Sequence, residues 1–191
     1  MLILPDVVGE PSNRIVAFDP GTNRLGAAVL DYNKEQGTHL VEYATTFNIG
    51  TLFKQYPVVI ETFGERVAKQ YAARCAVEKF LVAWNPSAVA SESPYMGSFP
   101  QAYMALVECI DAIRRACKAW NPFQPLIAID PATVKKSLGV SGKSGDKEAI
   151  RNALAKRSSL SFDKEVSLDH LDEHAIDAIA VGIAASLRSL R

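Results

Sequence analysis

The run Arg14-Ile15-Val16-Ala17-Phe18-Asp19-Pro20-Gly21-Thr22-Asn23-Arg24-Leu25-Gly26-Ala27-Ala28-Val29-Leu30 reads as an apolar strand, an acidic tip, a tight turn and a second apolar strand. Ile15 to Phe18 form the continuous apolar run expected of a strand buried on both faces. Pro20-Gly21 interrupts it, and Leu25 to Leu30 resumes a strand pattern. Asp19 therefore stands where a buried strand ends, at the mouth of a sheet. A carboxylate in such a place is costly unless a cation, a hydrogen-bond donor or water meets it. The remaining sequence has to supply that partner.

Working outward, a third strand over 39–47 follows a polar loop, so three consecutive strands with short links predict an antiparallel meander. From about 62 to 84 the apolar period becomes helical, with Val67, Tyr71, Cys75, Phe80 and Leu81 near one stripe. Ala88 to Glu92 is a short strand that ends, like the first, on a carboxylate. A loop over 93–100 leads to a helix over 101–119, with Tyr103, Leu106, Val107, Ile110, Ile113 and Cys117 inward. Leu126 to Ile129 is a further buried strand, closed by Asp130-Pro131. A short helix near 132–138, a Gly/Ser-rich loop over 139–145 and a helix near 146–157 follow. Residues 158–171 read as irregular, and a closing helix carries Ile176, Ile179, Ala180, Ile183, Leu187 and Leu190 as an apolar stripe. The pattern predicts an α/β fold with a mixed five-stranded sheet, three antiparallel strands and two parallel ones, flanked by helices. Residues 1–13 read as a leader and 14–191 as one domain.

Length and composition agree with that. The 191 residues, 48% apolar and 22% charged, suit one globular domain. Twenty-one acidic and 21 basic residues cancel, so a nucleic-acid partner has to show itself locally. It does: Lys135, Lys136, Lys143, Lys147, Arg151, Lys156 and Arg157 face only Asp146 and Glu148 in the same stretch. A basic segment of this kind is suited to gripping a phosphate backbone, its plainer reading being a solvated helix face. Cys75, Cys109 and Cys117 lack CxxC spacing and read as buried free thiols in a reducing cytosol. No signal-like or membrane-length apolar run occurs, so a cytoplasmic location with no membrane partner is expected.

The acidic residues carry the chemistry. If the first and fourth strands are neighbours, Asp19 and Glu92 converge at one rim. His174 and Asp177 are three apart on the closing helix and share a face. Each residue alone has a plainer reading, as a turn-former, a cap or a surface histidine, and Asp172 and Glu173 read as first-turn charges. Together, three carboxylates and an imidazole at one rim can hold two hard divalent ions, Mg²⁺ or Mn²⁺, roughly 4 Å apart across a phosphodiester.

Phe18-Asp19-Pro20-Gly21-Thr22 with Leu25-Gly26, Glu92 at a strand end, and His174-Ala175-Ile176-Asp177-Ala178 on the last helix resemble the RuvC family of Holliday-junction resolvases, in part viral, which have an RNase H-like fold. The resemblance runs from about residue 14 to 186. It implies metal-dependent resolution of four-way DNA junctions by a homodimer through paired symmetric nicks. On this reading Asp19, Glu92, His174 and Asp177 are the catalytic metal ligands, and His174 falls where the family carries Asp or His. Tyr95 matches a base-stacking aromatic, and Lys135 and Lys147 match DNA-contacting lysines, with Lys143 a rival to Lys147. His174 can alternatively act as a general base.

Three rival readings differ in kind. Actin-like and sugar-kinase ATPases share the meander and an Asp-x-Gly-Thr loop, but they need two such domains around a nucleotide. A non-catalytic module of the same fold would bind nucleic acid without the acids. A nuclease of this fold can also act on flaps, forks or RNA, because substrate shape is read by loops and dimer geometry.

Overall fold

The computed structural model describes residues 13–96, 99–140 and 148–188. Strands β1 (Arg14–Asp19), β2 (Arg24–Asn33) and β3 (Thr38–Asn48) form the expected antiparallel meander. β4 (Ala88–Glu92) lies parallel to β1, and β5 (Leu126–Ile129) parallel to β4. A sixth strand, β6 (Leu160–Phe162), pairs parallel with the outer edge of β3, giving the order β5-β4-β1-β2-β3-β6. The expected count of five strands is therefore corrected to six. Three residues with a polar centre, Leu160-Ser161-Phe162, are too short for a period-two signal, and the pairing itself defines the strand.

Helices cover both faces. Among the described residues these are α1 (Ile49–Leu52), α2 (Pro57–Trp84), α3 (Pro100–Trp120), α4 (Pro131–Ser137), α5 (Glu148–Ala155) and α6 (Glu173–Arg188). α2 starts five residues before the predicted point and is broken at Gly64, whose φ of 82° and ψ of 167° only glycine adopts readily. The buried face of α2 is set by Ala68, Ala72, Ala73, Ala76, Val77, Phe80, Leu81 and Trp84, whereas Val67 and Tyr71, expected inward, are 41% and 40% exposed. Ala68 and Ala72 pack on Phe53, and Ala73 and Ala76 join the core with Phe80, so small residues take the inward positions. In α3 the lower half is buried as expected, through Ile110, Ile113 and Cys117, while Tyr103, Leu106 and Val107 are half-buried. Leu187 is likewise 39% exposed, and Leu190 lies outside the described residues.

Alternation along the strands assigns each face. Val16 and Phe18 of β1 join Leu25, Val29, Val77, Phe80 and Ile113 in the core under α2 and α3. There Phe80 packs edge-on to Phe18 and Phe47. Ile15 and Ala17 face the other way, towards Val181 and Ala184 of α6. Asp19 and Glu92 share the parity of Ala17 and Ala90, so both point to the α6 side. α6 is buried almost all round, from Ala178 to Ser186, because α4 and α5 cover its outer side. Gly182 lies so close to the sheet that a Cβ there would stand 2.4 Å from Leu30 Cδ1. No described helix is long and apolar enough to cross a membrane; all three cysteines are free, Cys109 and Cys117 buried as expected and Cys75 only partly so.

One buried polar group sets an acid limit on this fold. His39 is 2% exposed, stacks on Tyr32, and has Nε2 2.6 Å from Ser186 Oγ. Ser186 spends its own proton on Ile183 O, so His39 must donate through Nε2, leaving Nδ1 buried without a partner. Burial, assisted by the charge of Arg157, lowers its pKa to about 4. The unfolded chain binds this proton below its ordinary value of 6.5 and the folded chain does not, so stability is lost as pH falls from 6.5 towards 4. Relative to His39→Gln, which keeps the donor, the native protein should lose about 3 kcal/mol across that window in urea unfolding. Parallel curves for the two proteins would remove His39 from the acid response.

Candidate active site

β1 and β4 run parallel with Phe18 beside Ser91, so Asp19 and Glu92 are neighbours at the C-terminal ends of adjacent strands. The chain leaves β1 through Pro20-Gly21. A Cβ at Gly21 would stand 2.1 Å from Arg24 O, so the turn closes only with glycine there. α6 then brings His174 and Asp177 over the same rim. Its start is fixed by Asp172, whose Oδ1 accepts from the Ala175 N–H and from the Thr46 hydroxyl, with Arg24 at 3.5 Å from Oδ2. Asp172 is thus more than a favourable first-turn charge: it caps α6 and ties it to β2 and β3.

Gly26 completes the placement. It pairs with Asp19 across the β1–β2 ladder, and a Cβ on it would stand 2.0 Å from His174 O and 3.1 Å from Asp19 Cβ. The backbone of α6 can approach Asp19 only because Gly26 has no side chain. As a result His174 Nδ1 meets Asp19 Oδ2 at 2.8 Å. Asp19, 8% exposed, thereby gains a partner for its costly charge.

The electrostatics show four groups acting on one another. Burial raises the Asp19 pKa, against the opposing hydrogen bond and charge of His174. The hydrogen bond to Asp19 raises His174. Glu92 is pushed up to about 7 by burial and then by the charges of Asp19 and Asp177. Asp177 is pushed up to about 7 by burial and then by Asp19. Three carboxyl groups that resist joint ionisation mark a place of excess negative potential. Lys135, on α4, lowers both Glu92 and Asp177, so its ammonium belongs to this cluster. Among the described residues no three His, Cys, Asp or Glu side chains are arranged so that they could hold an ion, and Asp19 is turned to His174 instead.

The other anticipated residues fare differently. Tyr95 lies just beyond β4 and is 71% exposed. Lys143 and Lys147 lie outside the described residues. Two members of the basic stretch are structural: Arg151 donates to the carbonyls of Leu168 and Leu171, and Arg157 to Ser137 O and Ser159 Oγ. Asp130, the third acid at a strand end, accepts from Thr133 N and Oγ1 and caps α4. Gly26 and Asp172 were legible only as a strand glycine and a helix-start acid, and neither pattern shows the contact across 148 or 126 residues that gives it its role.

No protein-family model matches the chain, and no curated protein matches it by sequence. Solved structures do. RuvC of Thermus thermophilus, in complex with a Holliday junction substrate, superposes with a TM-score of 0.69 at 17% identity, covering 93% of this chain and 95% of that one. The yeast mitochondrial Holliday junction resolvase Ydc2 gives 0.65 at 13% identity, over 95% of this chain and 82% of that one. The fowlpox virus Holliday junction resolvase gives 0.55 at 16% identity, over 93% and 97%. At these identities the likeness is one of fold. The chain has the RNase H-like fold of RuvC-type resolvases, viral ones included.

Proposed function

We propose that this protein is a divalent-metal-dependent endodeoxyribonuclease that resolves four-way DNA junctions by paired symmetric nicks, acting as a homodimer in the cytoplasm. One observation supports the reading: half-buried Glu92 and Asp177 both feel the charge of Asp19 at the end of β1, on a fold shared with junction resolvases.

The donor types suit Mg²⁺ or Mn²⁺, and holding an ion requires the side chains to move from the arrangement described above. Carboxylate oxygens suit hard ions, one imidazole is compatible with Mn²⁺, and a cation offsets both the burial and the neighbouring charges that push Glu92 and Asp177 up to about 7. Asp19, Glu92, Asp177 and His174 would hold the ions, two per site, with the Asp19–His174 hydrogen bond exchanged for ligand bonds. Bound there, such ions supply a more acidic water and a counter-charge for the departing 3′-oxygen. Lys135 meets a backbone phosphate close to the carboxylates, and Tyr95 offers an exposed ring for a base at the branch point. If the Asp19–His174 bond is instead kept, His174 acts as a general base rather than a ligand: with Nδ1 held by Asp19, Nε2 is the nitrogen free to take a proton from water.

Proton competition provides a check. Glu92 and Asp177 are half-protonated near pH 7, and ions bind the ionised forms, so affinity must rise with pH. Calorimetric titration with Mn²⁺ should show about a hundredfold gain between about pH 6 and pH 8. Affinity that is flat over this range would take these two carboxyls out of the metal site. The function itself is tested by incubating the protein with a four-way junction, a flap, a fork, plain duplex and single-stranded RNA in parallel with Mg²⁺. Cleavage confined to the junction is expected; cleavage of flaps or RNA alone would redirect the reading to another nuclease of this fold, and binding without cleavage to a non-catalytic module.

A further inference from the structure

On the other side of the Asp19–Arg24 turn from His174 lies a pocket of about 410 Å³, walled by Thr22, Ile49, Lys69, Gln70, Ala105 and Cys109 among others. It is joined to the active site by short contacts. The Cys109 thiol donates to Gly21 O at 3.2 Å, and it is pushed up to about 11 by burial, with the charge of Asp19 among the smaller causes.

Four charged side chains line this pocket, Glu65, Arg66, Lys69 and Glu108, and Glu65 is exposed at its edge. Arg66 is neutralised by Glu108 through two hydrogen bonds of 2.8 and 2.6 Å, and the Gln70 amide donates to the same carboxylate. Lys69 is held differently. Its ammonium donates to Asn23 Oδ1 at 2.9 Å and sits 5.3 Å from the centre of the Phe53 ring. Both partners are neutral, so they fix the position of the ammonium without cancelling its charge. A pre-positioned cation with spare donors, half-buried beside a pocket, is built to receive an anion. Ala105, half-buried, gives that pocket an apolar wall suited to a sugar.

We propose that this pocket is a second DNA subsite, in which Lys69 holds a backbone phosphate of the strand engaged at Asp19 and the adjoining deoxyribose rests against Ala105. The inference rests on the nuclease reading and extends it. Lys135 stands on the α4 side of the carboxylates and Lys69 on the α2 side. A strand crossing the rim therefore meets a phosphate partner on each flank, which fixes its direction over Asp19. Lys69 is a positioning residue; it touches no reacting atom.

The test measures binding of a four-way junction without divalent ions, as a function of salt. Lys69→Gln should weaken binding about five- to tenfold near about 0.1 M salt and reduce the slope of log affinity against log salt by about 1. Lys69→Arg should restore both. Asn23→Ala, which removes the tether but keeps the cation, should leave the slope unchanged. Lys69→Met, which keeps the aliphatic stem over Phe53, replaces the Gln variant if a thermal melt shows that one to be unfolded. An unaltered slope in the Lys69 variants, with native affinity for the junction intact, would reduce Lys69 to a brace for the turn. Absence of junction affinity in the native protein would instead overturn the nuclease reading, and this inference with it.

Discussion

Asp19→Asn is expected to lower junction cleavage by about a thousandfold or more, the several kcal/mol that metal-assisted charge stabilisation contributes. Asp19 is the residue on which the site converges: it hydrogen-bonds His174, neighbours Glu92 across the parallel ladder, and raises Asp177. The substitution is isosteric and keeps an oxygen acceptor for the His174 ring, so the β1–α6 contact survives. Binding draws on phosphates gripped elsewhere, by Lys135 and, on the inference above, Lys69. Junction affinity should therefore stay within about threefold of native. Gel-shift and single-turnover cleavage on the same preparation measure both quantities. Cleavage near the native rate in Asp19→Asn would remove Asp19 from catalysis; a matching loss of binding would make its role one of folding or substrate contact.

Gly26→Ala should have the second-largest effect, and for a purely geometric reason. The added methyl would stand 2.0 Å from His174 O and 2.6 Å from its carbonyl carbon, both backbone atoms with no rotamer to change. The first turn of α6 must lift from β2, straining the Asp172 cap that joins it to Thr46 and Arg24. Overpacking of this kind costs about 1–3 kcal/mol, and backbone against backbone lies at the upper end. Catalysis suffers more than stability, because displacing His174 and Asp177 by about 1 Å from Asp19 costs on the order of a hundredfold. Thermal unfolding and cleavage rate, measured together, should show a folded protein of lowered melting temperature and little activity. Native activity in Gly26→Ala would mean that the closeness of α6 to β2 has no catalytic consequence.

How much of this was readable from residues depends on the range of the interaction involved. The meander, the parallel β4 and β5 and the terminal helix follow from local apolar patterning, because each strand is buried on a defined face. β6 does not, since three residues carry no period and the edge of β3 selects them. Helix faces were misread where alanine does the packing: α2 turns Ala68, Ala72 and Ala76 inward and leaves Val67 and Tyr71 half out, which a scale that rewards bulk inverts. Two strand-ending Asp-Pro pairs, at 19 and 130, look alike in sequence and end up with different work. Asp130 precedes a helix and caps it through Thr133, whereas Asp19 precedes a turn and reaches His174, 155 residues away. The resemblance names Asp19, Glu92, Asp177, His174 and Lys135, and in the structure Glu92 and Asp177 each feel the charges of Asp19 and Lys135, while Asp19 is paired with His174. The basic stretch is less uniform than its count implies, because Arg151 and Arg157 are spent on internal carbonyls.

The central claim is that these carboxylates form one nuclease centre matched to a four-way junction. Its most direct test labels each of the four strands of a junction in turn and maps the products formed with Mg²⁺ or Mn²⁺. Nicks at symmetric positions on two opposed strands, leaving religatable 5′-phosphate ends and absent with chelator or with Asp19→Asn, are the predicted result. A junction that stays intact while the protein binds it in the presence of either ion, or scattered nicks equal to those in plain duplex, would contradict the account.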